Sequence, residues 1–115
     1  MELQVVKVDK ENDKELVVMK VMEDCNLWPF ILFDSTFEDG EFSNLNRHSY
    51  MFPNQNVKTG DFILLYTHEG RDAHYSNRAG STTWEFYWGL DVNVWNADRD
   101  EVVIVKASEV KRYPF

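Results

Sequence analysis

The sequence predicts an all-β fold, either a sandwich or a barrel, and three observations support it. Short β-branched and aromatic runs separated by turn residues recur along the whole chain. No window of about eleven residues keeps the apolar period of 3.6 that is typical of a helix. The 115 residues, 43% of them hydrophobic and 15% aromatic, suffice for one ordinary core. We therefore expect a single domain over residues 1–115.

The first strands are predicted from β-branched runs and the turns between them. Residues 3–8 and 14–22 are two such runs, and the polar residues 9–13 between them suit the turn of a hairpin. The next apolar run, residues 28–33, contains Pro29. Because proline cannot donate a hydrogen bond to a neighbouring strand, Pro29 predicts an edge position or a bulge.

The later strands are predicted from the faces that their side chains form. Residues 60–67 leave neither face polar, which predicts a central strand covered on both sides. In residues 83–88, Trp84, Phe86 and Trp88 share one face, and we expect these rings to enter one core with Leu64 or its strand neighbours. Further strands are predicted at residues 47–52 and 101–106 and, as a short edge piece, at 110–115. The total is about seven to eight mostly antiparallel strands.

Charge and cysteine content exclude several classes of partner and site. The formal net charge is −8, from 12 basic and 20 acidic residues. This charge disfavours nucleic acid and anionic membrane surfaces as partners. No apolar run approaches the roughly 18 residues of a membrane span. Cys25 is the only cysteine, so no internal disulfide can form, and with no signal-peptide pattern at the N-terminus we expect a cytoplasmic location.

Three motifs in the second half of the chain follow one another in a recognisable order. Residues 52–66 combine an aromatic-proline turn, a Lys-x-Gly step and an apolar strand. Residues 88–96 begin with Trp-Gly and lead to a tryptophan-containing turn, and residues 96–105 run from a polar hairpin turn into a last strand. Ahead of these motifs, residues 27–34 form an apolar run that ends in an acidic residue. In this order the motifs resemble the lamin tail domain, a module of nuclear lamins and of many bacterial proteins.

The resemblance implies an immunoglobulin-like β-sandwich of the bacterial type. It also implies a function in holding or recruiting another molecule, because the family supplies no catalytic residues to carry over. On this basis the chain is expected to be a non-catalytic binding or scaffolding module for a protein or other macromolecular partner.

The candidate binding surface lies in residues 68–81, which separate two predicted strands. A connection of this length without structure of its own is usually either functional or a mobile insertion. Its arginines concentrate positive charge on an acidic protein, which favours a carboxylate-bearing partner. The candidate partner-binding residues are Arg71, His74, Tyr75 and Arg78 here, together with Trp28 elsewhere in the chain.

Two alternative functions remain open at this point. The four tryptophans allow a carbohydrate-binding module with a polysaccharide partner, for which Trp28 and Tyr75 are the best candidates for exposed aromatic rings. A small metal-dependent hydrolase would instead need the three histidines to meet an acid such as Asp72 or Glu69. The histidines are His48, His68 and His74.

The sequence favours no metal site, no cofactor and no enzymatic activity. The Asn96-x-Asp98-x-Asp100 spacing is that of calcium loops, but the glycine required at the sixth position is Glu101, so a β-turn is predicted. No serine or cysteine lies in a nucleophile motif. The acidic residues 34–41 are predicted to form a solvated loop beside a strand end.

Overall fold

Every regular element in the described residues of the computed structural model is a β-strand, which confirms the all-β prediction. The structure describes residues 1–11, 13–38, 41–42, 48–95 and 100–115. Within them no helix is long and apolar enough to cross a bilayer. The strands are more numerous than predicted because several are only two to four residues long. They are β1 (Leu3–Glu11), β2 (Lys14–Val21), β3 (Cys25–Asn26), β4 (Phe30–Glu38), β5 (Glu41–Phe42), β6 (Ser49–Met51), β7 (Asn56–Val57), β8 (Phe62–Tyr66), β9 (Ala73–Ser76), β10 (Thr82–Tyr87) and β11 (Asp100–Lys106).

The chain divides into two compact units. Residues 1–25 and 57–95 form the first unit, and residues 26–56 and 96–115 form the second. The first contains a five-stranded sheet with the strand order β1-β2-β8-β10-β9. The pairings of this sheet are antiparallel except for β8 with β10, which run parallel.

Two predictions for the first unit are confirmed by this sheet. β1 and β2 form the expected hairpin, whose turn places Asp13 in the left-handed region at φ 64°, a conformation that aspartate tolerates. β8 is central, with β2 on one side and β10 on the other. The prediction that both faces of β8 are covered is met in full on one face only, because Ile63 and Leu65 are buried whereas Phe62 and Leu64 are half-buried.

The core of the first unit lies on one face of the sheet. Val17 and Met19 of β2 align with Leu65 and Ile63 of β8, and all four side chains are fully buried. Phe86 of β10 aligns with Leu65 and is also buried, as predicted.

Of the three aromatic rings of residues 83–88 predicted to enter one core, Trp84 and Trp88 are less deeply buried than Phe86. Trp84 aligns with Ile63 but is only half-buried. Trp88 follows the end of β10 and is also half-buried, with its ring centroid 6.3 Å from that of Trp95. Alternation within the strand thus predicts the face of each ring but not its depth.

The second unit is organised around β4, which pairs with both β11 and β6. Pro29 directly precedes β4, so no hydrogen bond within the strand needs its missing N–H, and the predicted edge position or bulge is wrong. The carbonyl of Pro29 instead accepts a hydrogen bond from the backbone N–H of Ala107. Residues 110–115 form no strand, so the predicted edge piece there is also wrong.

The acidic stretch that starts at Asp34 is not the predicted loop over its first five residues. β4 continues to Glu38, and the side chain of Asp34 is buried. Its Oδ1 accepts the backbone N–H of His48 at 2.5 Å, and its own N–H donates to the carbonyl of His48 at 3.2 Å. This exchange satisfies a buried carboxylate, which explains how an acid is tolerated in a central strand.

Candidate functional site

The predicted binding segment, residues 68–81, contains a strand at the edge of the five-stranded sheet. β9 pairs antiparallel with β10 and ends the sheet on that side. All four of its residues are exposed. The prediction that residues 68–81 have no structure of their own is therefore wrong for Ala73–Ser76. These residues form a strand because a tight turn joins them to β10 and holds them beside it.

Asn77 closes this connection with its side chain. Its Oδ1 accepts the backbone N–H groups of Ala79 and Ser81 at 3.0 and 3.1 Å, a pattern that is typical of asparagine in turns. Its Nδ2 donates to the hydroxyl oxygens of Ser81 and Thr83 at 2.9 and 3.1 Å. Gly80 adopts a positive φ of 81°, which a glycine reaches without strain. These contacts fix the register of β9 on β10.

The other end of the segment is held by Tyr87. Its backbone N–H donates to Asp72 Oδ1 at 3.1 Å, and its ring stacks on Tyr66 with centroids 4.9 Å apart. Burial raises the pKa of the Tyr87 hydroxyl, and the nearby carboxylates of Glu85 and Asp72 raise it further. A Cβ placed on Gly70 would lie 2.2 Å from atoms of this ring, so the chain passes directly against it.

Gly70→Ala is expected to lower the free energy of unfolding by about 1–3 kcal/mol, because the added methyl overpacks against the Tyr87 ring. Gly80→Ala is a comparison for backbone strain alone, since no atom lies within 4 Å of a Cβ at that position. Urea denaturation of both variants measures the effect. In a Tyr87→Ala background the cost of Gly70→Ala should fall to that of Gly80→Ala, and an unchanged cost in that background would contradict the contact.

Four of the five predicted binding residues lie on this edge. Arg71 and Arg78 flank β9 at its two ends, and both are exposed. Tyr75 is 48% exposed and aligns with Thr83, whereas His74 aligns with Trp84 and lies against its indole at a centroid distance of 4.7 Å. Because successive residues of a strand point to opposite faces, Tyr75 and His74 are on opposite sides of the sheet. The fifth residue, Trp28, belongs to the second unit.

The backbone of β9 presents hydrogen-bonding groups at the free edge. Asn77 donates its N–H to the carbonyl of Ser81, towards β10. In an antiparallel pair the direction of the N–H groups alternates along the strand. The N–H groups of Tyr75 and Ala73 therefore point towards β10, and those of His74 and Ser76 point away from it. Neither of these two outward donors has an acceptor among the described residues, so both can pair with a further strand.

The opposite edge of the same sheet is protected against such pairing. β1 carries a register irregularity between Val5 and Lys7, and Lys7 and Lys10 place ammonium groups along it. Lys7 Nζ lies 3.0 Å from Asp9 Oδ2. Bulges and lysines are common devices that prevent a sheet edge from pairing with another chain. β9 has a regular register and contains no lysine or proline.

The three histidines have separate surroundings, and within the described residues no group of three or more histidine, cysteine or acidic side chains is arranged to hold a metal ion. His48 pairs with Asp34, and His74 packs on Trp84. The Asn96 and Asp98 positions of the predicted turn lie outside the described residues. The hydrolase hypothesis therefore gains no supporting geometry from the described residues.

The side chain of His68 makes hydrogen bonds to the segment that follows β10. Its ring nitrogens lie 2.9 Å from the carbonyl oxygen of Leu90 and 2.7 Å from Asn93 Oδ1. The hydrogen bond with Asn93 raises the pKa of His68, partly opposed by burial and supported by the Leu90 carbonyl. Both ring nitrogens of His68 are therefore used in structural contacts within the chain.

Comparison of the chain with protein-family models, with curated protein sequences and with solved structures found no match in any of the three. The resemblance to the lamin tail domain accordingly depends on the sequence motifs alone, and the candidate site must be judged by its geometry.

Proposed function

We propose that this chain is a non-catalytic protein-recognition module that binds an extended segment of its partner as an additional strand on β9. The observation that carries the proposal is the regular, exposed edge of β9, in contrast with the irregular and lysine-bearing edge of β1. Strand addition supplies affinity through main-chain hydrogen bonds and specificity through the neighbouring side chains. We also propose an immunoglobulin-like sandwich related to the lamin tail domain, supported by the all-β content and the order of the motifs.

The charge around β9 favours a partner segment with carboxylates. Residues 68–81 contain two arginines and two acids, so their formal charge is +2 − 2 = 0, and the other residues carry the whole net charge of −8. One of the two acids, Asp72, already accepts the N–H of Tyr87. Arg71 and Arg78 are exposed at opposite ends of the strand, where each guanidinium can bind a carboxylate through two hydrogen bonds. The partner segment is therefore an extended peptide with an acidic residue near each end.

Tyr75 supplies the apolar part of the surface. Tyrosine offers a large, rigid contact area at a low cost in side-chain entropy, which is why it is enriched in binding surfaces. Its exposed ring lies between the two arginines along the strand, so a bound peptide would contact all three side chains.

A pair of variants at Ser76 tests the proposal without changing a charge. Ser76→Pro removes an outward N–H and leaves the bonds to β10 intact, whereas Ser76→Ala keeps that N–H. The probes are two short peptides of alternating threonine and valine, one with glutamate and the other with lysine near both ends. We expect the glutamate peptide to bind, and Ser76→Pro to weaken it by about tenfold, the loss of one main-chain hydrogen bond. Ser76→Ala should bind as the unmodified chain does.

The combined change Arg71→Ala, Tyr75→Ala and Arg78→Ala tests the side chains of the same surface. It should preserve the thermal midpoint, because all three side chains are exposed, and should abolish binding of the glutamate peptide. If this variant and Ser76→Pro both bind the glutamate peptide with the affinity of the unmodified chain, β9 is not the site. Preference for the lysine peptide would contradict the proposed partner chemistry.

A further inference from the structure

A cluster of amide side chains in the second unit joins Asn26 of β3 to Asn56 of β7 and to Asn54, which lies just before β7. Asn26 Nδ2 donates to Asn54 Oδ1 at 2.6 Å and to Asn56 Oδ1 at 3.0 Å. Asn26 Oδ1 accepts the backbone N–H of Trp28 at 2.9 Å. The backbone N–H of Leu27 also donates to the carbonyl of Gln55 at 2.9 Å. Trp28 is thus anchored on the same cluster as the two asparagines.

One backbone group determines the orientation of all three amides. The N–H of Trp28 can only donate, so the Asn26 atom that faces it must be the oxygen. Asn26 Nδ2 then faces Asn54 and Asn56, and each of them must present its Oδ1 as acceptor. The Nδ2 groups of Asn54 and Asn56 therefore remain as donors, and they have no acceptor among the described residues. Both residues are exposed, so the cluster offers two oriented donors to the solvent.

The residues that flank these donors in the sequence carry no charge, and most of them are apolar or aromatic. Trp28 is 38% exposed, as the sequence predicted for this ring. Met51 and Pro53 are exposed as well. Neither residues 26–33 nor residues 51–57 contain a charged side chain. A ligand of this surface would therefore be neutral, with one apolar face for the indole and oxygen atoms for the amides.

We propose that Trp28, Asn54 and Asn56 form a saccharide-binding site, separate from the β9 surface of the first unit. The indole stacks on the apolar face of a neutral pyranose ring, and the two Nδ2 groups donate to its hydroxyl oxygens. A pyranose combines a flat C–H face with a rim of hydrogen-bonding oxygens, which is the combination that this surface complements. The fixed orientation of the amides reduces the entropy lost on binding.

The test is titration of the whole chain with a panel of neutral oligosaccharides, namely β-1,4-linked glucose, xylose and mannose oligomers and N-acetylglucosamine oligomers, each up to about 10 mM. We expect at least one of them to bind. Trp28→Ala should weaken binding by at least about tenfold, since stacking on an aromatic ring supplies much of the contact. Tyr113→Ala, which removes another exposed aromatic ring of the second unit, serves as the control and should bind equally.

The double change Asn54→Asp and Asn56→Asp separates ligand binding from folding. Aspartate keeps the oxygen that each position presents to Asn26 and removes the outward donor, so the thermal midpoint should hold while affinity falls by about tenfold. Unchanged affinity in this variant would overturn the proposal. So would the absence of binding by every oligosaccharide, or binding of a proline-rich peptide alone, which would assign the ring to a different class of ligand.

Discussion

Asp61→Ala is expected to lower the free energy of unfolding by about 3–4 kcal/mol. The carboxylate is only 5% exposed and joins the turn before β8 to β10. Its Oδ2 accepts the backbone N–H of Lys58 and the indole N–H of Trp84, each at 3.0 Å, and its Oδ1 accepts the backbone N–H of Thr82 at 3.0 Å. Truncation leaves three donors without their acceptor, and hydrogen bonds to a charged group are the stronger kind. Urea denaturation measures the loss.

Trp84→Phe is the matched control, because it removes one of these donors and keeps an aromatic ring. Its expected cost is about 1–1.5 kcal/mol. An Asp61→Ala variant no less stable than Trp84→Phe would contradict the account of this network.

The same carboxylate predicts a dependence of stability on pH. Burial alone would raise the pKa of Asp61, but hydrogen bonds from Lys58, Trp84 and Thr82 outweigh it and lower the pKa below the usual value. A carboxyl group whose pKa is lower in the folded chain contributes stability above its unfolded pKa of about 3.9 and loses it as the pH falls through the folded value. Asp61→Asn should therefore flatten the decline in stability below about pH 4.

Glu15→Ala is expected to lower the free energy of unfolding by about 3–5 kcal/mol. Glu15 lies in β2 and is only 1% exposed. Its Oε1 accepts the hydroxyl of Thr67 at 2.9 Å and the backbone N–H of Val94 at 2.5 Å, which holds the segment after β10 against the sheet. Alanine removes the acceptor and leaves a cavity, so both costs add.

Thr67→Val is the control for this network, because it keeps the shape of the side chain and removes one donor. It should cost about 1 kcal/mol. Equilibrium denaturation of both variants, followed by tryptophan fluorescence, makes the comparison. A Glu15→Ala variant as stable as Thr67→Val would show that Glu15 does not hold the segment at Val94.

The strands that the sequence predicts best are those whose residues carry their own signal. Phe62–Tyr66 has no polar residue, and the hairpin of β1 and β2 has a polar turn between β-branched runs. β9 has only a weak signal, because Ala-His-Tyr-Ser alternates over just four positions and contains no β-branched residue. It becomes a strand through the Asn77 side chain and the pairing with β10. Asparagine followed three residues later by glycine is the local signal from which this turn could have been predicted.

Burial of polar groups is what the sequence could not predict. Asp34 reads as the start of an acidic loop, yet it lies buried in β4 because the backbone of His48 satisfies its carboxylate. Trp84 reads as a core ring, yet it remains half-buried, with its indole N–H bonded to Asp61. In each case the deciding partner lies far away in the sequence.

The candidate residues of the first unit were predictable, but the way they could bind was not. Arg71, His74, Tyr75 and Arg78 are recognisable from composition and from the length of the connection. That they surround a free strand edge follows from the order of strands in the sheet, which depends on the parallel pairing of β8 with β10. Such a pairing between distant segments leaves no local trace.

Amide hydrogen exchange of the chain with and without the glutamate peptide tests strand addition most directly. In the free protein the N–H groups of His74 and Ser76 should exchange rapidly, whereas that of Tyr75, directed towards β10, should exchange slowly. Bound peptide should slow exchange at His74 and Ser76 and leave Tyr75 unchanged. Binding without protection of these two groups, or with protection of β1 instead, would contradict the account.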